Sequence, residues 1–139
     1  RGLDQHSVTG SAWRRRVVSV PQFQENHIFQ DTLLFNLLMG GTWPAPPGAR
    51  VRAQRLCEEL GLGPLLDRMP SGLDQLLGDS GWQLSHGERS RIFMARALLQ
   101  DADLVIFDES FGTLDPETLR IAMDVAKRHA RTLMVIAHT

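Results

Sequence analysis

Of the 15 basic residues in this 139-residue chain, a single one, Lys127, is lysine, and the rest are arginine. Cysteine is equally scarce: Cys57 stands alone, which excludes an internal disulfide framework and suits a reducing, cytosolic setting. Cys57 reads as a small residue packed on a helix. No apolar run nears the ~18–20 residues that a membrane-spanning helix needs, and no signal-peptide pattern opens the chain. An excess of either charge is missing too. A formal net charge of -1, with arginines scattered apart from Arg14, Arg15 and Arg16, leaves no basic field for nucleic acid, and none is expected as a partner. Charge runs, low-complexity tracts and internal repeats are absent, and a hydrophobic fraction of 42% belongs to a globular chain.

The elements that are present alternate in type. Residues 16–20, RVVSV, form a β-branched run closed by Pro21, a strand stopped by a residue that cannot donate to a ladder. Asp31 as N-cap, an apolar TLLFNLLM run and Gly40 predict a short helix. After a proline-rich loop, Ala53, Leu56, Cys57 and Leu60 fall at helical spacing up to Gly61, and the short apolar turn PLLDRM follows. In LSHGERSRIFMARALL, Ile92, Ala95, Leu98 and Leu99 share one helical face, and Ser85 with Glu88 forms a capping box, so this helix is predicted to begin at Ser85. DLVIFD has the pattern of a strand buried on both faces, as in a parallel sheet. Asp115, Pro116 and Glu117 start a helix to about Ala130, and TLMVIAH is a third strand. Strands joined through helices require parallel crossovers, so the fold class is α/β with an all-helical insertion between the first two strands.

Two places carry chemistry. Leu104 to Glu109 delivers two adjacent carboxylates at the C-terminal end of a strand, the edge where open α/β sheets bind ligands. One carboxylate there can hold hydrated Mg²⁺ while its neighbour orients a water; the alternative is a solvated acidic turn. At Ser85, His86, Gly87 and Glu88, helix N–H groups and the helix dipole can meet an anion, and glycine lets an oxyanion approach; the alternative is a plain capping box. His6, His27 and His129 lack ligand-like spacing, and no zinc site is indicated.

The order of these elements resembles the ATP-binding cassette (ABC) ATPases. Val20 to Gln22 is similar to the Q-loop, Leu84 to Glu88 to the LSGGQ signature, and LVIFDE to the Walker B strand with its following glutamate. Gly112 to Asp115 resembles the D-loop, and His138 the H-loop histidine. The resemblance implies that Asp108 holds hydrated Mg²⁺, with Gln22 contacting the ion and the attacking water, and that Glu109 polarises this water towards the γ-phosphate of ATP. It implies that His138 hydrogen-bonds that phosphate, that Asp115 contacts the opposite subunit, and that Ser85 and Gly87 bind the γ-phosphate held on a second nucleotide-binding domain in a head-to-tail dimer. His86 and Glu88 replace the usual glycine and glutamine of the signature; His86 either adds a donor to the nucleotide or points into solvent.

What the resemblance implies of the fold is a P-loop NTPase core in two pieces, residues 1–23 through the Q-loop and residues 101–139 with Walker B, D-loop and H-loop, around a helical subdomain at residues 24–100. The phosphate loop G-x-x-x-x-G-K-[ST] is absent, since Lys127 sits in DVAKR on a helix. The chain begins without methionine and stops after a strand, and is expected to be a piece of a longer protein whose Walker A part lies upstream. HIFQDTLLFNL and LLGDSGWQ loosely match segments by which exporters meet their transmembrane domains. The implied function is the ATPase portion of an exporter at the cytoplasmic face of the inner (plasma) membrane, with a soluble cassette ATPase of DNA repair or translation as the alternative. The last strand would be an apolar sheet edge open to self-association.

Overall fold

The computed structural model describes residues 17–20, 27–41, 44–108 and 114–136. Three short strands, β1 (Val17–Val20), β2 (Leu104–Asp108) and β3 (Leu133–Ile136), form a parallel sheet in the order β1-β2-β3. Val17 lies opposite Leu104 and Val20 opposite Phe107, while Val105 pairs with Leu133 and Asp108 with Ile136. All three strands therefore end on one side of the sheet. Gln22, Glu109 and His138 follow those ends by one or two residues in sequence, but they lie outside the described residues.

Between β1 and β2 the described residues form α1 (Leu33–Leu38), α2 (Ala49–Glu59), α3 (Gly63–Arg68), a 3-10 turn (Gly72–Asp74) and α4 (His86–Leu98). One further helix, α5 (Pro116–His129), crosses from β2 to β3. The cap of α1 is Thr32, not Asp31: the Thr32 hydroxyl accepts the Phe35 N–H at 3.0 Å, and the Asp31 carboxylate accepts the Thr32 N–H at 2.7 Å. Gly40 ends that segment with φ +87°, where a Cβ would also meet the Gln100 side chain at 2.8 Å. Ala53, Leu56, Cys57 and Leu60 are all buried, as their spacing requires. Burial pushes the Cys57 thiol up to about 12, so it behaves as a packing residue and not as a nucleophile.

Helix α4 is the centre of the molecule. Its expected apolar face is buried at Ile92, Ala95 and Leu98, and Phe93, Met94 and Ala97 are buried as well, because α4 packs on β1 and β2 while α1, α2 and α5 pack against it. Each fully buried large side chain here contributes roughly 1.5–3 kcal/mol relative to exposure. β2 departs from its expected burial on both faces: Val105 and Phe107 are buried, whereas Leu104 and Ile106 on the other face are half-buried. Beyond it, β3 leaves Met134, Val135 and Ile136 exposed at 48%, 40% and 39%. An apolar run states that a face can be buried, not that something among the described residues covers it.

Candidate functional site

The start of α4 forms the predicted capping box. The Ser85 hydroxyl accepts the Glu88 N–H at 3.1 Å, and the Glu88 Oε1 accepts the Ser85 N–H at 2.9 Å. Glu88 Oε2 accepts a hydrogen bond from Arg68 Nη2, at the end of α3, at 2.6 Å. Burial pushes the Glu88 carboxyl up, but the Ser85 N–H and the Arg68 guanidinium outweigh it and hold it below the usual carboxylate value. Ser85 and His86 are exposed, and Gly87 and Glu88 half-buried. The box engages the N–H groups of Ser85 and Glu88, so an incoming anion would face the backbone at Gly87. The Ser85 hydroxyl, while accepting, still has its own proton to donate.

Gly87 is not required by the fold. A Cβ there would lie 3.5 Å from Leu114 Cδ2 and 4.0 Å from Arg91 Nη2, ordinary van der Waals distances. What its hydrogen leaves open is the approach of a ligand to the backbone. Arg91 braces this turn from behind: Nε donates to the Gly87 carbonyl at 3.1 Å, and Nη1 to the carbonyls of Leu60 at 3.2 Å and Gly61 at 3.1 Å. Burial draws the Arg91 guanidinium down, against the opposing charges of Glu88 and Asp115. Asp115 is exposed and caps α5, its carboxylate accepting the Thr118 N–H at 3.2 Å. Those bonds to Thr118, side chain and backbone, hold it below the ordinary aspartate value. The turn carrying Leu114 and Asp115 thus lies beside the turn carrying Ser85 to Glu88.

Of the residues expected to carry chemistry, the structure brings together Ser85, His86, Gly87, Glu88 and Asp115. Asp108 closes β2 with its backbone, and its side chain lies outside the description, as do Gln22, Glu109 and His138. Among the described residues no group of three or more His, Cys, Asp or Glu is placed to hold a metal. Mg²⁺ therefore finds no test in the side chains described. For ATP the fit is partial: the chain has no phosphate-loop lysine, whereas the start of α4 has a hydroxyl donor and an unobstructed glycine suited to one phosphate face.

Sequence reasoning missed Arg68 and Arg91, and it missed a second node at the far end of α4. Arg96 donates from Nε to the Asn36 carbonyl at 2.7 Å and from Nη2 to the His27 carbonyl at 3.0 Å, with its guanidinium 5.9 Å and 5.3 Å from the ring centres of Phe29 and Phe93. The available signal was a lone arginine amid Ala95, Ala97 and Leu98 on an otherwise apolar stretch. This node holds residues 27–32 on α4, and residues 75–83 dock beside them. Leu33 N–H donates to the Gln75 carbonyl and Leu77 N–H to that of Asp31, both at 2.9 Å, and the Ser80 hydroxyl donates to Gln30 Oε1 at 2.9 Å. Phe29 and Leu76 are exposed at 42% and 58%, so the joined segments present an apolar patch.

Comparison with known proteins follows the same lines. The family profile described as ABC transporter matches residues 2–112. "P-glycoprotein 14" of Caenorhabditis elegans is 34% identical over 128 residues, 91% of this chain and 9% of that protein. "ATP-dependent lipid A-core flippase" of Idiomarina loihiensis is 36% identical over 141 residues, 98% of this chain and 23% of that protein. The solved structure of a bacterial Atm1-family ABC exporter with ATP bound superposes with a TM-score of 0.82 at 28% identity, covering 99% of this chain and 23% of that one. The chain therefore spans less than a quarter of the length of each of these proteins. A parallel sheet feeding a signature-like helix, a matching profile over most of the chain and relatives that share nearly its whole length agree: the chain belongs to the ABC transporter family.

Proposed function

We propose that this chain is part of the ATPase domain of an export transporter, and that the intact protein hydrolyses ATP to drive export across a membrane. The observation that carries the reading is the α4 start, where the capping box holds Ser85 and Gly87 open to a phosphate beside Asp115. In this reading residues 1–23 and 101–139 belong to the catalytic core and residues 24–100 to the helical subdomain, and ATP is bound with Mg²⁺, which supplies charge neutralisation of the phosphates. Asp108 and Gln22 hold the ion, Glu109 polarises the water, and His138 hydrogen-bonds the γ-phosphate. Ser85, His86, Gly87, Glu88 and Asp115 face the nucleotide held by a second ATPase domain arranged head-to-tail. The apolar patch of Phe29 and Leu76 suits contact with transmembrane domains, which puts the domain at the cytoplasmic face of the inner (plasma) membrane. The alternative of a soluble ATPase of DNA repair or translation is disfavoured by relatives named as a flippase and an exporter.

The full-length protein reconstituted in vesicles tests the reading. MgATP hydrolysis is expected there, and Gly87→Ala is expected to cut kcat/KM by about tenfold or more while the melting temperature of the chain stays within about 2 °C, since the added methyl meets no obstacle. Absence of hydrolysis in the unaltered protein overturns it.

We also propose that the chain by itself associates through β3, with a second copy covering the apolar edge at Met134, Val135 and Ile136. Its mass by light scattering is expected to rise with concentration, and Val135→Lys to suppress the rise. A monodisperse monomer at high concentration counts against this contact.

A further inference from the structure

We propose that Arg68 is a positioning residue for the signature turn: by holding one oxygen of Glu88 it fixes the other on the Ser85 N–H and so aims the Ser85 hydroxyl at an incoming phosphate. The inference rests on the proposed function, because it takes that turn to be the phosphate-facing one. Its starting point is a departure from the family pattern. A glutamate stands where the signature ordinarily has glutamine, placing a carboxylate at a helix start that must accept an anion.

The geometry shows how the charge is handled. Glu88 Oε2 lies 2.6 Å from Arg68 Nη2, and Glu88 Oε1 lies 2.9 Å from the Ser85 nitrogen, so both carboxylate oxygens are engaged. The Glu88 side chain is 14% exposed and that of Arg68 is 55% exposed, so the arginine closes the carboxylate off from the solvent side. In return the Glu88 N–H fixes the Ser85 oxygen as acceptor at 3.1 Å, leaving its proton for an external partner. Other charged or titratable groups at this turn include His86, Arg89 and Arg91, on α4 itself, and Asp115, ahead of α5. Arg91 is directed elsewhere, with Nε and Nη1 committed to the carbonyls of Gly87, Leu60 and Gly61. A half-exposed ion pair adds little to global stability. The effect of Arg68 therefore falls on the orientation and charge of the turn.

Two measurements decide this. On the full chain, NMR is expected to show that Arg68→Met speeds hydrogen exchange of the Ser85 amide by about tenfold and raises the titration midpoint of the Glu88 carboxyl, with Arg68→Lys restoring both. An unchanged Ser85 exchange rate and an unchanged midpoint overturn the proposal. On the full-length protein, Arg68→Met is expected to lower kcat/KM for MgATP about fivefold beside Glu88, and less than about twofold in a Glu88→Gln background. Equal losses in the two backgrounds mean that Arg68 acts only as scaffold, and also overturn it. If the full-length protein hydrolyses no ATP, the proposed function falls, and the exchange and titration of the chain still decide what Arg68 does.

Discussion

Glu109→Gln in the full-length protein is expected to slow ATP hydrolysis by about 10²–10⁴-fold, the usual contribution of a positioned general base, while ATP still binds. The substitution keeps the shape of the side chain and removes its ability to draw a proton from the attacking water. Residues that only hold the phosphates are untouched, so nucleotide affinity measured with a fluorescent ATP analogue should change less than about twofold. The place of Glu109 in the sequence favours this role over a solvated turn. It follows Asp108 directly, and Asp108 lies opposite Ile136 in β3 while its neighbour Phe107 lies opposite Val20 in β1. Gln22 and His138 leave those same strand ends two residues later. Three strands in parallel register thus end along one edge, and the water-orienting, ion-contacting and phosphate-contacting candidates of the proposed function are the residues that follow those ends in sequence. Turnover unchanged by Glu109→Gln would remove the residue from the reaction.

How far the chain could be read beforehand depended on how local each cause is. The starts of α4 and α5 were legible because Ser85 with Glu88, and Asp115 with Pro116, satisfy helix N–H groups within a single turn. The parallel pairing followed from helices lying between strands. At α1 two cap-competent residues stand side by side, and local chemistry does not choose between them. Long-range bonds do: Leu77 N–H holds the Asp31 carbonyl and Leu33 N–H reaches the Gln75 carbonyl, which set the chain so that Thr32 turns its hydroxyl to the helix. Burial of the second face of β2 was overstated for a similar reason, since apolarity does not name a covering partner. In the site, the Ser85 to Glu88 turn was visible as a motif. Its braces were not, because Arg68 lies 20 residues from Glu88 and Arg91 reaches back 31 residues to Leu60. An arginine carries no sign of which distant carbonyl or carboxylate it will meet.

A more distant contact, between Arg96 and Asn36, leads to the second large expected effect. Asn36 is fully buried, and its amide makes four bonds. Nδ2 donates to the carbonyls of Phe29 at 3.1 Å and Thr32 at 2.9 Å, and Oδ1 accepts from the Phe29 N–H at 2.8 Å and from Arg96, 60 residues away, at 3.3 Å. Asn36→Ala would leave the Phe29 N–H and carbonyl without these partners beneath α1 and loosen Arg96 from its place between two rings. At about 1–3 kcal/mol for each buried group left unsatisfied, the expected loss is about 3 kcal/mol, a large share of the 5–15 kcal/mol typical of a folded domain. Urea unfolding followed by tryptophan fluorescence measures it, and a loss below about 1 kcal/mol would mean that water replaces the amide at no cost. Leu37→Ala, next in sequence and equally buried, is the comparison, since a deleted core leucine costs a similar ~2–5 kcal/mol through its cavity. The two should differ in where the structure opens. Asn36→Ala should speed hydrogen exchange selectively at the Phe29 amide, freeing the segment that carries the exposed apolar patch, whereas Leu37→Ala should lower protection across α1 and α4 together. In the proposed transporter that difference would separate coupling from stability: losing the tie between residues 27–32 and α4, the helix capped by Ser85, should reduce the stimulation of ATP turnover by transported substrate more than the turnover itself.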